Sequence, residues 1–266
     1  MTALPELAVI GGSGLYALLD NAVEHDVDTP YGKPSDPITV ATVGDRTVAF
    51  LPRHGRDHRF PPHRIPYRAN LWALRALGVR QILAPCAVGG LRPELGPGTF
   101  VIPDQLIDRT SGRVQTYYDE GAVHVSFADP YCPVGRATLN TAAAKSHIRP
   151  EQGTMIVIEG PRFSTRAESR WFTNIGGAVV NMTGYPEAVL ARELALCYTT
   201  IALVTDLDAG VEGDHGVTQD EVFRVFGENT ARLRGVLMDA LATIPLDRDC
   251  PCGHALDGLK LPIDLP

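Results

Sequence analysis

Short apolar, β-branched segments alternate with helical stretches along most of the chain, and no other feature limits the fold as strongly. Strand-like runs fall at residues 7–10, 38–43, 48–51, 81–86, 100–102, 154–159, 178–181 and 200–205. Helical patterns fall at 68–77, 133–145, 164–174, 185–196 and 218–241. Strands this uniformly apolar need cover on both faces, so the order predicts an α/β protein with a central mixed β-sheet flanked by helices. The segments at 38–43 and 48–51 read as a hairpin turning at Gly44-Asp45, its second strand halted by Pro52. In the last helix Val222, Phe223, Phe226, Leu233, Val236, Leu237 and Leu241 keep the helical period, and Thr218 with Glu221 has the spacing of a capping box. No repeat, low-complexity tract or long linker divides the 266 residues. Residues 1–266 therefore read as a single domain, with a tail, 245–266, that the pattern does not place.

Composition narrows the class. A chain of 266 residues removes roughly three quarters of its unfolded surface from water. No apolar run approaches the ~20 residues needed to cross a bilayer, and residues 1–6 carry no basic segment of a signal peptide. A net charge of −7 argues against wholesale nucleic-acid binding. Five cysteines without a signal peptide suit a reducing cytoplasm. Cys86 and Cys197 lie in apolar runs and read as inert core residues. Cys250-Pro-Cys252-Gly-His254 has three soft ligands but no fourth nearby, so a thiol pair or disulfide is preferred to zinc and no metal site is expected.

The cations are concentrated instead. Arg53, His54, Arg56, His58 and Arg59 surround Gly55 directly after the Pro52 strand end, a set that suits an anion such as phosphate. Gly11-Gly12-Ser13-Gly14 follows the first strand and can turn backbone N–H groups toward an anion. It lacks a P-loop lysine, and the acids of 24–28 lie in a polar stretch rather than at the end of a second strand, which excludes a dinucleotide site. Other strand ends carry Ala87-Val88-Gly89-Gly90, Glu159-Gly160-Pro161-Arg162-Phe163, Asn181-Met182-Thr183-Gly184 and Asp206-Leu207-Asp208. Singly, each has a packing or solvation account: a solvated basic loop, a tight turn, a core methionine, turn acids. His63 and His124 likewise read as solvent-facing. Together they gather polar groups at the carboxyl ends of many strands, where open α/β sheets bind ligands.

These segments, with Asp104-Gln-Leu-Ile-Asp-Arg-Thr110 and Thr205-Asp-Leu-Asp208, resemble the trimeric purine nucleoside phosphorylases over residues 7–242, and among them the branch acting on 5′-methylthioadenosine. The resemblance implies a pentosyltransferase that cleaves 5′-methylthioadenosine to adenine and 5-methylthioribose 1-phosphate. It implies phosphate as co-substrate, no cofactor, and a homotrimer. Phosphate would be held by Ser13, Arg53, His54, Cys86, the backbone near Ala87, and Thr183. Met182 would pack on the ribose, Phe163 on the purine, and Asp206 with Asp208 on the N7 and 6-position edge. Gln219, Val222 and Phe223 would line the 5′ end, and His124 would enter from the neighbouring subunit.

Elementary chemistry supports the same division of labour. Phosphate attacking an anomeric carbon must be positioned and stripped of water, and the departing base needs a proton at N7. A buried carboxylic acid beside a second one can supply it, which makes Asp206 the candidate. Carboxylates facing the 6-position accept from an amino group and favour adenine over hypoxanthine; an unmatched buried partner costs about 1–3 kcal/mol. Two positions depart from the pattern: Cys86 stands where a hydroxyl residue is usual, and Gln219 where a small apolar residue is usual. The amide leaves adenosine or 5′-deoxyadenosine open as substrates, while Val222 and Phe223 favour an apolar 5′ group. Other readings are a 6-oxopurine or methylthioinosine phosphorylase, a hydrolase using water, and a non-catalytic nucleoside sensor.

Overall fold

The structure, a computed structural model, describes residues 4–12, 22–211 and 216–266. Ser13 lies outside the described residues, so its expected phosphate contact has no structural account.

One sheet organises the chain. Its strands are β1 (Leu7–Gly11), β2 (Val23–His25), β3 (Ile38–Val43), β4 (Arg46–Pro52), β5 (Gln81–Gly90), β6 (Phe100–Val101), β7 (Gln105–Arg109), β8 (Thr154–Ile158), β9 (Gly177–Asn181) and β10 (Cys197–Leu207). They run in the order β2-β3-β4-β1-β5-β9-β8-β7, with β10 paired to β5 and β6. Helices α1 (Tyr67–Ala76), α2 (Pro133–Lys145), α3 (Arg166–Asn174), α4 (Gly184–Glu193) and α5 (Gln219–Thr243) cover it. Among the described residues no helix is long and apolar enough to cross a membrane.

Alternation along the strands divides the core in two. Ala8 and Ile10 of β1 join Leu71, Trp72 and Leu74 of α1 and Leu190 of α4 on one face. Leu7 and Val9 join Leu139 of α2 and Leu233, Val236 and Leu237 of α5 on the other. Burial on both faces is the reason the strands read as continuous apolar runs. The predicted hairpin forms: β3 pairs antiparallel with β4, Val43 opposite Arg46.

Several expectations are corrected. Strand β5 does not stop in a glycine turn after Cys86; it continues to Gly90, pairing with β9 through Gly89 and Gly90. Strands β2 and β7 form where no strand was expected, and both are short with polar faces. The stretch 123–127 is unpaired, although Val123, Val125 and Phe127 do pack on the core and His124 stays exposed. At the start of α5 the Thr218 hydroxyl accepts from the Glu221 N–H without a reciprocal bond, whereas Thr165 and Glu168 make a full capping box at α3. In the tail, Leu261, Ile263 and Leu265 pack against the first core. Cys132 and Cys197 lie beside Cys250 and Cys252, supplying the further ligands that the sequence did not place near the tail.

Candidate active site

Strand β5 is long enough to face two neighbours on one edge. Strand β10 pairs with it from Gln81 to Gly90, while the other edge meets β1 only over Gln81, Ile82 and Leu83 and β9 only over Gly89 and Gly90. Between those contacts the β5 backbone is met by side chains. Arg53 Nη1 donates to the Pro85 carbonyl at 3.0 Å, and Asn181 Nδ2 donates to the Ala87 carbonyl at 3.1 Å. An N–H and a C=O of one residue leave a strand on the same edge, so the Ala87 N–H faces this gap too. A break in strand neighbours at the strands' carboxyl ends is where α/β sheets accept ligands.

One end of the gap carries the expected phosphate residues. Arg53 is buried and bound bidentately by the fully buried Glu187, with two contacts of 2.8 Å. It also donates to the Ile10 carbonyl, which leaves one Nη1 hydrogen among the described contacts. Tyr198 Oη donates to Glu187 Oε1 at 2.7 Å. The expected convergence of five cations on one anion is therefore corrected. Arg56 pairs with Glu24 of β2 at 2.6 Å, and Arg59 with Asp57 of the same loop at 3.2 Å, so nearby acids already hold both. His54 remains directed by the fold: its Nδ1 lies 2.8 Å from the Phe60 carbonyl, so Nδ1–H donates and Nε2 is left for a ligand. Burial pulls the His54 imidazole below its ordinary pKa, and Arg53 beside it adds to the effect. Burial also pushes the Cys86 thiol up to about 12, so it stays an uncharged, weak donor.

Thr183 caps this end. Asn181 Oδ1 accepts from the N–H groups of Thr183, at 2.7 Å, and Gly184, at 2.6 Å, while its amide reaches Ala87. One side chain thus ties the start of α4 to the open stretch of β5. Met182, partly buried, lies against the loop after β8: a Cβ on Gly160, whose φ is +65°, would sit 2.7 Å from its sulfur. Arg113 fixes both loops, donating to the carbonyls of Met182 at 3.0 Å, Tyr185 and Glu159 and to the Glu159 carboxylate at 3.1 Å.

The other end holds two acids. A register shift in β10 between Val204 and Asp206 makes Thr205 an extra residue, and Asp206 pairs opposite Gly89. Thr205 Oγ1 donates to Asp206 Oδ1 at 2.7 Å. A Cβ on Gly89 would lie 3.1 Å from Asp206 Oδ2 and 3.4 Å from the Asp208 Cβ, so the bare glycine gives both acids room. Both are buried, at 5% and 3% exposure. Burial raises the Asp206 pKa from 3.8 to about 6, against the Thr205 hydrogen bond and with help from Asp208 and Glu221. Burial raises Asp208 as well, opposed by the Ser164 and Ser169 hydroxyls. By hydrogen-bond geometry neither serine hydroxyl engages it: Asp208 Oδ2, Ser164 Oγ and Ser169 Oγ all lack a partner among the described residues. Ala87 and Gly89 are two residues apart on β5, so the gap and the acids lie about 7 Å apart along the strand. We expect Gly89→Ala, which presses a methyl on the Asp206 carboxylate, to lower kcat/KM at least tenfold in initial-rate assays while the far-UV circular dichroism stays unchanged.

The rim is apolar. Phe163 is 37% and Phe223 54% exposed, and Phe223 stacks on the His58 ring with centroids 6.4 Å apart. Gln219 opens α5 and is exposed, and Val222 is half-buried. Exposed His124 has no described contact with these residues. Clefts of about 300 and 310 Å³ adjoin these residues, the first lined by Leu91, Ser169 and Thr173 and the second by His63 and Arg113.

A family model described as the phosphorylase superfamily matches residues 6–242. The chain belongs to that superfamily. Among phosphorylases it is 59% identical to a purine nucleoside phosphorylase of Streptomyces coelicolor, covering 98% of each chain. It is 58% identical to an S-methyl-5′-thioadenosine phosphorylase of Mycolicibacterium smegmatis, covering 98% of this chain and 99% of the relative. A methylthioadenosine phosphorylase from an antarctic soil metagenomic library superposes with a TM-score of 0.89 at 43% identity, covering 95% of this phosphorylase and 91% of the other chain.

Three residues of this phosphorylase escaped the sequence reading. Glu187 and Arg113 act through partners 134 and up to 72 positions away. Asn181 belongs to a strand-end motif, but its bond to Ala87 spans 94 positions. No local pattern announces such contacts.

Proposed function

We propose that this enzyme cleaves 5′-methylthioadenosine with inorganic phosphate, giving adenine and 5-methylthioribose 1-phosphate. The observation that carries this reading is the unpartnered, buried Asp208 Oδ2 beside a protonatable Asp206, a pair suited to an exocyclic amino group and the adjacent N7. In this reading phosphate enters the gap on β5, taking hydrogen bonds from the Ala87 N–H, the Thr183 hydroxyl, the remaining Arg53 Nη1 hydrogen, and Ser13. His54 Nε2 accepts a proton from the phosphate or donates one once protonated, and the neutral Cys86 thiol adds no repulsion. Positioning, rather than a dense positive charge, does most of the work, because Glu187 already balances Arg53.

As the glycosidic bond breaks, the ribose gains positive charge beside Met182 and the base gains negative charge. Asp206 Oδ2 gives its proton to N7 while Asp208 accepts from the 6-amino group. Phe163 covers the purine, and Val222, Phe223 and Gln219 border the 5′ substituent. No step asks for a cofactor; phosphate is the second substrate. We further propose a homotrimer in which His124, presented outward by its alternating segment, closes a neighbour's pocket. The cytoplasm suits its free, buried cysteines.

The name of the Streptomyces relative and the amide of Gln219 favour a second reading, a purine nucleoside phosphorylase tolerant of a 5′-hydroxyl. A panel of 5′-methylthio, 5′-deoxy and 5′-hydroxyl nucleosides, in 6-amino and 6-oxo forms and with or without phosphate, separates the two. We expect methylthioadenosine to have the highest kcat/KM, with methylthioinosine at least tenfold lower. The reverse order in initial rates overturns the assignment.

A further inference from the structure

We propose that Cys132, Cys197, Cys250 and Cys252 bind one zinc ion as a tetrathiolate site that pins the C-terminal tail to the sheet. All four side chains are buried, and their sulfurs lie within 4.8 Å of one another. Two separations are 3.8 Å, for Cys132 and Cys250, and 3.4 Å, for Cys197 and Cys250. Four sulfurs at a Zn–S distance of 2.3 Å in a tetrahedron are about 3.8 Å apart, whereas a disulfide holds its sulfurs at about 2.05 Å. No two of the four are joined by a disulfide, and their spacing is that of the first.

The ligands come from three elements. Cys132 is the residue before α2, and its N–H donates to the Tyr198 carbonyl at 2.8 Å. Cys197 opens β10. Cys250, in extended backbone, precedes the short 3₁₀ turn Pro251–His254 that carries Cys252. The chain turns from extended backbone at Cys250 into the 3₁₀ turn, and both sulfurs of the Cys-Pro-Cys pair lie in the cluster.

The surroundings fit the charge such a site carries. Zinc with four thiolates has a net charge of −2, and two guanidiniums reach the sulfurs: Arg192 to Cys252 and Arg248 to Cys197, each at 3.9 Å. Arg192 is itself buried and anchored on the Asp129 carbonyl at 2.6 Å. Such outer partners orient ligands and offset their charge. Four soft donors select zinc over magnesium or calcium, and with no open position the ion is structural. Binding forms four Zn–S bonds, and the thiol protons leave to solvent. Cys197 is the first residue of β10 and Asp206 the tenth, so the ion sits about 30 Å along the strand from the acids and takes no part in catalysis.

The test is metal content of the full chain, purified without a metal-affinity tag or added metal, by inductively coupled plasma mass spectrometry. One zinc per chain is expected, released stoichiometrically when a mercurial titrates the thiols. Cys252→Ser should retain less than a tenth of the zinc. Should that variant fail to fold, replacing the native ion with cobalt gives the visible absorption of a tetrahedral thiolate complex. A chain that contains no zinc and takes up neither metal overturns the site, whether its cysteines are free thiols or two disulfides with a mass lower by four hydrogens.

Discussion

Asp206→Asn is expected to lower kcat for 5′-methylthioadenosine by about 10²- to 10⁴-fold, the usual worth of a positioned general acid. The loss should be larger for 6-aminopurine than for 6-oxopurine nucleosides, since an amide facing N7 can also donate to an adjacent 6-oxo group but offers nothing to a 6-amino group. Stability should move the other way. Burial raises the Asp206 pKa from 3.8 to about 6, which corresponds to about 3 kcal/mol that the fold loses when the group ionises. The sign follows from linkage: the folded state binds this proton more tightly than the unfolded one, so stability is highest below 3.8 and declines as pH rises through about 6. Above pH 6 the amide variant should therefore unfold at a higher temperature than the parent, and below pH 4 the difference should vanish. The parent's kcat/KM should likewise be highest below about pH 6 and decline above it. Equal losses on both substrate classes, or a melting difference independent of pH, would contradict these roles.

Glu187→Gln should be the most destabilising single change at the site. The carboxylate has no exposure and holds Arg53 by two bonds, with Tyr198 as a third partner. Removing its charge leaves a buried guanidinium uncompensated, a cost of about 3–5 kcal/mol. For a domain of this size that is a melting-temperature drop of about 6–20 °C in scanning calorimetry. Phosphate should restore part of it, and more than it adds to the parent, because the released arginine then has an anionic partner. A drop below about 2 °C, or no extra response to phosphate, would show that Arg53 does not need Glu187.

Much of this was legible in the sequence, for a physical reason. Buried strands and amphipathic helices obey periods of a few residues, so β3 at Ile38–Val43 and α2 at Pro133–Lys145 match the sequence reading. Strands without that signature went unseen: Val23–His25 and Gln105–Arg109 are held by partners, not by their own pattern. The basic run after Pro52 misled because charge along a chain does not say who neutralises it; Glu24 and Glu187 come from elsewhere, and Asp57 within the run takes Arg59. The neighbours of Cys250 and Cys252 were hidden for the same reason, since Cys132 and Cys197 are distant in sequence. Short-range motifs thus placed the acids of β10 and the turn at Thr183, while the network that holds them is long-range.

A crystal structure with phosphate and adenine bound tests the central arrangement most directly. The expected result is phosphate within hydrogen-bond reach of the Ala87 N–H, His54 Nε2 and the Thr183 hydroxyl, with adenine on Asp206 and Asp208 in the same cleft and space for one ribose between them. Phosphate bound away from the open stretch of β5, or adenine in a cleft that Asp206 does not line, would contradict it.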